Sequence, residues 1–341
     1  MQGPDTRFHP RKPPLWQVLL ALAWVYLSWG TTYLAIREGV KTLPPGLFGG
    51  LRIAAAGAVL LAWLALRGRG VRLPWRELGA AWLVGGLLFV GGNGLVTVGM
   101  KTVPSGVGSV LVATTPLWMA LLERASPRGE RLALGGWLGL LLGLGGVALL
   151  WASKAEASAL VGTGPLLLLG SALAWSVGSF IHRHRRGPTP LLLSAAWQSL
   201  LGGGTLALVG LAAGEAGALS AEQFTPRAVG AFFYLLTVSS LVTFVAYLWL
   251  LRHVSAALAG TYAYVNPAVA VLLGWLLADE PLTPALVGGL AVILAGVALV
   301  RASALRGLPA ADAGKELPRA DRSFTLKKVK PPLLSVEEPQ P

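Results

Sequence analysis

The chain contains no cysteine, only three methionines and four histidines, and little charge: Asp, Glu, Lys and Arg together make up 13% of its 341 residues. The missing thiols exclude disulfides, thiolate metal sites and cysteine nucleophiles. The shortage of charge excludes more. A soluble domain carries about 25% charged residues, whereas this chain is 54% apolar. A water-soluble particle of this size cannot hide that much apolar surface, so lipid must cover part of it. Acids are the scarcer sign, 15 against 28 bases, and none falls in the middle of a long apolar run. Proton-coupled carriers and carriers of cationic drugs keep such an acid. Its absence points to a neutral or zwitterionic substrate.

The net charge of +13 raises the question of nucleic acid. The bases, however, sit in short clusters between long uncharged runs, which is the signature of topology signals in membrane loops. No nucleic-acid partner is expected. Ten runs of about 20 residues have the length and composition of spanning helices: Leu15–Ile36, Gly46–Leu66, Leu78–Met100, Val103–Leu122, Leu132–Ser153, Ala157–Ile181, Pro188–Gly214, Ala228–Leu251, Val254–Ala278 and Pro281–Val300. Only the second holds a charge, Arg52. The runs are continuous and rich in Leu, Ala and Gly, unlike the alternating strands of a membrane β-barrel. Ala21-Leu22-Ala23 has the small-x-small form of a signal cleavage site, but the apolar run continues past it.

With the N-terminus inside, 22 of the 28 lysines and arginines fall on cytoplasmic segments and 5 on outer loops. Both termini are therefore expected in the cytoplasm of a multi-pass cell-membrane protein. The expected organisation is a cytoplasmic segment 1–14, five helices over 15–153, five more over 157–303, and a disordered basic cytoplasmic tail 304–341.

The two halves resemble each other. Leu27-Ser28-Trp29 matches Leu173-Ala174-Trp175, and Pro44 matches Pro190, at an offset of 146. Pro116 matches Pro267 at 151, Glu130 matches Glu280 at 150, and Gly146-Val147-Ala148-Leu149-Leu150 matches Gly296-Val297-Ala298-Leu299-Val300 at 150. Five helices is an odd number, so the second copy enters the membrane upside down. The expected fold is all-α: ten transmembrane helices as two inverted five-helix repeats around a central pathway, a design of secondary transporters.

The stretch Trp29-Gly30-Thr31-Thr32-Tyr33-Leu34-Ala35-Ile36, then Pro44-Pro45 and Arg52, resembles the opening of EamA-type members of the drug/metabolite transporter superfamily. Ala113-Thr114-Thr115-Pro116-Leu117, Tyr264-Val265-Asn266-Pro267-Ala268 and the Glu-x-Leu at Glu130 and Glu280 resemble it too. The resemblance covers roughly residues 15–303. It implies a ten-helix fold with a pathway between the halves and export of metabolites from bacterial-type cells. It does not imply one substrate.

Polar groups deep in lipid are costly unless they have partners or face water, so they mark candidate pathway positions. Arg52 lies roughly 10 Å from the outer end of its helix, at 1.5 Å per residue. Inserting it costs at least about 2.5 kcal/mol. Two readings stand: a partner for a substrate carboxylate or a gate, or a structural arginine that snorkels or ties helix ends. Its counterpart in the second half is Gln198. Asn93 and Thr97, and likewise Tyr262 and Asn266, are four apart, and Thr115 and Trp118 are three apart, so each pair shares a helix face. With Tyr247, these faces suit an aromatic cavity with a few hydrogen-bonding groups, or else plain interhelical hydrogen bonds. Trp29, Tyr33 and Trp175 follow the resemblance and its repeat. Pro116 and Pro267 should kink their helices, and the glycine clusters should let helices approach closely. Trp16, Trp75, Trp151 and Trp275 read as interfacial anchors. Glu280 before Pro281 reads as the acid at the start of its own helix.

The partners expected are a small-molecule substrate and the bilayer, with monomer and homodimer both open. No cofactor or metal is expected, since His182 and His184 lack companion ligands. A channel or lipid scramblase would share the helices. An integral membrane enzyme would need a catalytic constellation, and none is legible: His9, His182, His184 and His253 all fall on the expected cytoplasmic side.

Overall fold

The computed structural model describes residues 13–126, 134–152, 161–185, 189–253 and 262–306. Among them there is helix and turn but no strand. The expected starts of the fifth, sixth, seventh and ninth spans, Leu132, Ala157, Pro188 and Val254, and the expected end of the fifth, Ser153, lie outside the described residues. So do Glu130, the N-terminal segment up to residue 12, the tail from residue 307, and the side chain of Trp151.

The helices are α1 (Leu15–Val40), α2 (Pro45–Leu66), α3 (Trp75–Gly99), α4 (Ser105–Ala125), α5 (Leu134–Ala152), α6 (Gly164–His184) and α7 (Leu191–Ala212). Then come α8, built of the consecutive pieces Pro226–Tyr234, Leu235–Thr243 and Phe244–His253, α9 (Tyr262–Ala278) and α10 (Pro284–Arg306). Seven of these, α1 to α4 and α6 to α8, are long and apolar enough to cross a membrane, and shorter apolar stretches lie in the rest. Proline sets most of the starts. Pro14, Pro74, Pro104 and Pro190 sit in extended conformation just before α1, α3, α4 and α7, while Pro45, Pro165 and Pro226 occupy the first turns of α2, α6 and α8. A helix opening leaves its first N–H groups unpaired anyway, so proline costs nothing there. The link between α7 and α8 forms two short 3₁₀ turns, Glu215–Ala218 and Ala221–Gln223.

Three helices depart from regular α geometry where the cavity described below lies. The helical run of α4 is interrupted at Ala113 and Thr114, just before Pro116. Proline cannot donate to the carbonyl four residues back, Val112. The Thr115 hydroxyl does so instead, at 2.7 Å. α3 and α8 each contain a nine-residue π-helical stretch, Gly86–Gly94 and Leu235–Thr243. The second stretch begins and ends 149 residues after the first. π-Stretches widen the turn and are found mostly at functional sites; nothing in the hydropathy pattern announces them.

The tightest packing is backbone on backbone. α2 lies along α7, and α5 along α10. A Cβ on Gly50 would meet the main chain of Ala207, one on Gly203 the main chain of Ala54 and Gly50, and one on Gly57 the Ala196 carbonyl at 2.7 Å. On the other pair, a Cβ on Gly146 would meet the Ile293 nitrogen at 2.9 Å, and one on Gly296 the Gly139 carbonyl at 2.6 Å. These are small-residue seams of the kind that hold helices together in lipid, where no hydrophobic force favours helix over solvent. Around them α1 packs on α8 and α9, α6 on α3 and α4, and α9 on α4. Large apolar side chains such as Leu15, Leu66, Leu141, Leu208 and Leu277 are exposed, as a lipid-facing surface requires. Trp16, Trp75 and Trp275 are exposed with them.

One terminal acid acts differently from its sequence reading. The Glu280 carboxylate serves the start of α4 rather than its own helix. It accepts from the Ser105 and Gly106 backbone N–H groups at 2.8 and 3.0 Å, and from the Ser105 hydroxyl at 2.9 Å. The start of α10 is capped by Thr283, whose hydroxyl accepts from Leu286 N at 3.1 Å. Asp279, with φ 52°, turns the chain between α9 and Glu280, which lets the acid point back across the fold.

Candidate functional site

A partly open cavity lies where α1, α3, α4, α6, α8 and α9 meet. It holds about 740 Å³ of atom-free space, counted out to its mouth. Of the residues singled out from sequence, Trp29, Tyr33, Asn93, Thr115, Trp175, Tyr262 and Asn266 line it. Arg52, Thr97, Trp118 and Tyr247 do not.

Trp29 is the hub of the aromatic wall. Its ring centroid is 6.0 Å from Trp175 at 89°, 4.9 Å from Tyr262 at 78° and 4.9 Å from Tyr247. Edge-to-face pairs of this kind contribute about 0.5–1.5 kcal/mol each beyond their buried area. Tyr247 stands behind the wall, its ring centroid 5.5 Å from Tyr262. The cluster brings α1, α6, α8 and α9 to one point.

The polar lining consists of amides, hydroxyls and the two indoles, with no ionised side chain among the described residues. Ser109 and Ser171, not foreseen from sequence, donate to the carbonyls of Gly106 and Leu168 at 2.7 and 2.6 Å. The Thr115 hydroxyl donates likewise to Val112. Thr32 bridges α1 to the π-stretch of α8: its hydroxyl donates to the Ser28 carbonyl at 2.9 Å and lies 3.2 Å from the Ser239 hydroxyl. The Asn266 amide is turned so that its nitrogen donates to the carbonyls of Tyr262 and Tyr26, both at 3.1 Å. The only signal for these serines was a hydroxyl within an apolar helix, and such hydroxyls usually bond their own helix.

Arg52 is buried, 1% exposed, one layer behind the cavity. Its Nη2 donates to Asn93 Oδ1 at 2.8 Å and its Nη1 to Ser240 Oγ at 3.0 Å. These two partners belong to the two π-stretches, so the guanidinium sits between α3 and α8 and reaches the cavity only through Asn93. Thr97 donates to the Asn93 carbonyl at 2.6 Å and faces Gly49 of α2. Asn93 falls in the π-stretch and Thr97 in the α-helical turns after it, on the side turned to α2. Val96, three on from Asn93, lines the cavity instead. Trp118 is half-buried, and its indole N–H has no partner among the described residues. Gln198 donates to Ser194 Oγ at 2.9 Å and lies 3.1 Å from His182 Nδ1, away from the cavity.

Ion pairs tie the helix ends. Arg37 of α1 lies 3.2 Å from Glu280 and also donates to the Val103 carbonyl, beside the start of α4. At the other end of α4, Glu123 lies 3.6 Å from Arg183 of α6.

Membrane-length helices, two π-stretches and a cavity walled by aromatics describe a membrane protein with a space of small-molecule size among its helices. The EamA-like transporter family matches residues 15–152 and, a second time, residues 162–302. The chain belongs to that family and is a membrane transporter. It is similar to the Escherichia coli (strain K12) protein described as uncharacterized inner membrane transporter YedA, at 39% identity over 290 residues, 84% of this chain and 90% of the relative. It is also similar to uncharacterized transporter YoaV of Bacillus subtilis (strain 168), at 28% identity over 82% of this chain and 95% of the relative. A solved crystal structure matches with a TM-score of 0.60 at 24% identity, covering 85% of this chain and 98% of its own, and so shares the fold.

Proposed function

We propose that the chain exports small organic metabolites, amino acids or related compounds, or drugs, by alternating access between two inverted five-helix halves that together cross the membrane ten times. The single observation that carries the reading is the composition of the cavity wall: α1, α3 and α4 come from the first half, and α6, α8 and α9 from the second. A substrate held there is held by both halves, so rocking one against the other opens it to either side.

Three observations support a two-fold relation between the halves, and the odd number of helices in each half is what would make it an inversion. The π-stretches recur at matching places in the third and eighth helices. The packing is reciprocal: α1 on α9 answers α6 on α4, and α3 on α6 answers α8 on α1. The pairs α2 with α7, α4 with α9 and α5 with α10 are contacts between counterparts. The excess of bases on one set of segments supports both termini being cytoplasmic. The relative described as an inner membrane transporter fits a bacterial inner membrane. In that orientation the Arg37–Glu280 pair lies at the outer end of the pathway and Arg183–Glu123 at the inner end.

The chain has no cysteine, so single introduced cysteines report topology directly. Gly70→Cys and Gly217→Cys lie in corresponding links of the two halves. An impermeant maleimide should label the first only from the cytoplasm and the second only from outside. Labelling of both from one side sinks the inversion. Counterflow of radiolabelled solutes in proteoliposomes tests the carrier: saturable exchange is expected, and flux rising linearly with concentration would indicate a pore.

A further inference from the structure

Arg52 is a buried charge with no carboxylate against it among the described residues. A guanidinium offers only donors. The oxygen of Asn93 must therefore face Arg52, and the amide nitrogen is left to face the cavity. Among the described residues that nitrogen donates to nothing, while Asn93 lines the space. Across the cavity the polarity is opposite. Ser109, Thr115 and Ser171 spend their hydroxyl hydrogens on their own helices, so their oxygens are left as acceptors. Asn266 uses its N–H groups on two carbonyls, so its oxygen is the remaining hydrogen-bonding atom. The cavity has an amide donor backed by positive charge at α3 and hydroxyl and amide acceptors on α4, α6 and α9, beside the aromatic wall whose phenols and indoles carry their own O–H and N–H groups.

The geometry points to Arg52 as a positioning residue that acts through Asn93, making the cavity select small molecules of no net charge with an acceptor end toward α3 and a donor end toward α4 and α6. This rests on the proposal that the cavity is the transport site. Arg52 does not touch the substrate. Its charge repels a cation from the α3 side, and an anion finds no donor among the α4 and α6 hydroxyls. The π-stretches make the arrangement accessible: they deliver Asn93 and Ser240 to one guanidinium from α3 and α8.

Isothermal titration of the full chain in lipid nanodiscs tests the assignment with three probes on one skeleton: L-phenylalanine, phenethylamine and 3-phenylpropionate. The wild type should bind the dipolar probe about tenfold or more tighter than the cation, the size of one hydrogen bond to a charged group. Asn93→Asp replaces the donor facing the cavity with a carboxylate oxygen, and should shift the ratio by about tenfold toward phenethylamine. Arg52→Lys, which keeps a charged donor, should stay near the wild-type ratio. Arg52→Leu releases the amide and should lower the ratio about tenfold. A merely structural arginine would weaken all three probes alike and leave the ratio unmoved. If Arg52→Leu does not fold, Asn93→Asp and Arg52→Lys carry the test. An unchanged ratio in Asn93→Asp, or no binding of any probe to the wild type, overturns the assignment. The expected ratios without counterflow in proteoliposomes would sink the transport reading and leave this one standing. Counterflow with ratios indifferent to both substitutions would do the reverse.

Discussion

The α2–α7 seam and the cavity wall are both built from helices of lipid-crossing composition, yet they solve opposite problems. In the seam, glycines bring main chains into contact. In the wall, the regular ladder is interrupted three times, at Ala113-Thr114 in α4 and at the π-stretches of α3 and α8. The breaks turn Asn93, Thr115 and Ser239 toward a common space. The seam joins one half to the other, so any rocking of the halves has to pivot about it, whereas the wall is already irregular and can adapt around a ligand.

The largest effect that would break this contrast is expected from Gly50→Val. Its branched side chain would collide with the Ala207 main chain, which no rotamer change relieves. A loss of about 3 kcal/mol or more, at the upper end for overpacking, should appear as a collapse of monodisperse protein on size exclusion. Gly204→Ala is the control: a Cβ there meets nothing within 4 Å, so thermal unfolding should be unchanged or raised by up to about 1 kcal/mol through helix propensity.

The next effect compares two carboxylates that each reach back to an earlier helix. Glu280 caps α4 and pairs with Arg37, while Glu215 accepts from the Gly46 and Leu47 N–H groups at the start of α2, at 3.0 and 2.8 Å. Glu280→Gln should destabilise by about 1–2 kcal/mol, since the group is nearly buried and loses both a cation and a helix end. Glu215→Gln should cost about 0.3–1 kcal/mol. Unfolding temperatures in one detergent would rank them, and a reversed order would refute the weight given to the Arg37 pair. A smaller change is expected of Trp24→Phe, which removes a 3.1 Å bond from the indole to Thr243 worth about 0.6 kcal/mol.

The smallest net effect on stability is expected from Arg52→Leu. Removing the guanidinium relieves an insertion cost of about 2.5–3.5 kcal/mol but strands Asn93 Oδ1 and Ser240 Oγ, at about 1–3 kcal/mol each or less where water reaches. The terms nearly cancel, so unfolding should move little while ligand discrimination falls. Gln198→Leu should move neither by much. A strongly destabilised Arg52→Leu that kept its ligand preferences would show that the arginine belongs with the seam rather than with the wall.

Seven cavity residues were legible because an aromatic, amide or hydroxyl stands out in an apolar run. Trp29 and Trp175 stood out twice, through the repeat. Thr97 and Trp118 lie off the cavity because sharing a broad helix face does not decide which neighbour a side chain meets: Thr97 faces Gly49 of α2, and of the pair on α4 only Thr115 reaches the space. Glu280 was recognisable as a helix-start acid, but the helix it serves begins 175 residues earlier.

Hydropathy, proline placement and glycine spacing are local properties. Water, lipid and the main chain respond to them residue by residue, so the sequence alone determined that the chain enters a membrane, where most helices start and which surfaces can touch. Which way an amide points is not local. Asn93 shows its nitrogen to the cavity because a guanidinium from another helix holds its oxygen. That guanidinium stays because Ser240, 188 residues further along, meets it only once the helices have closed around it.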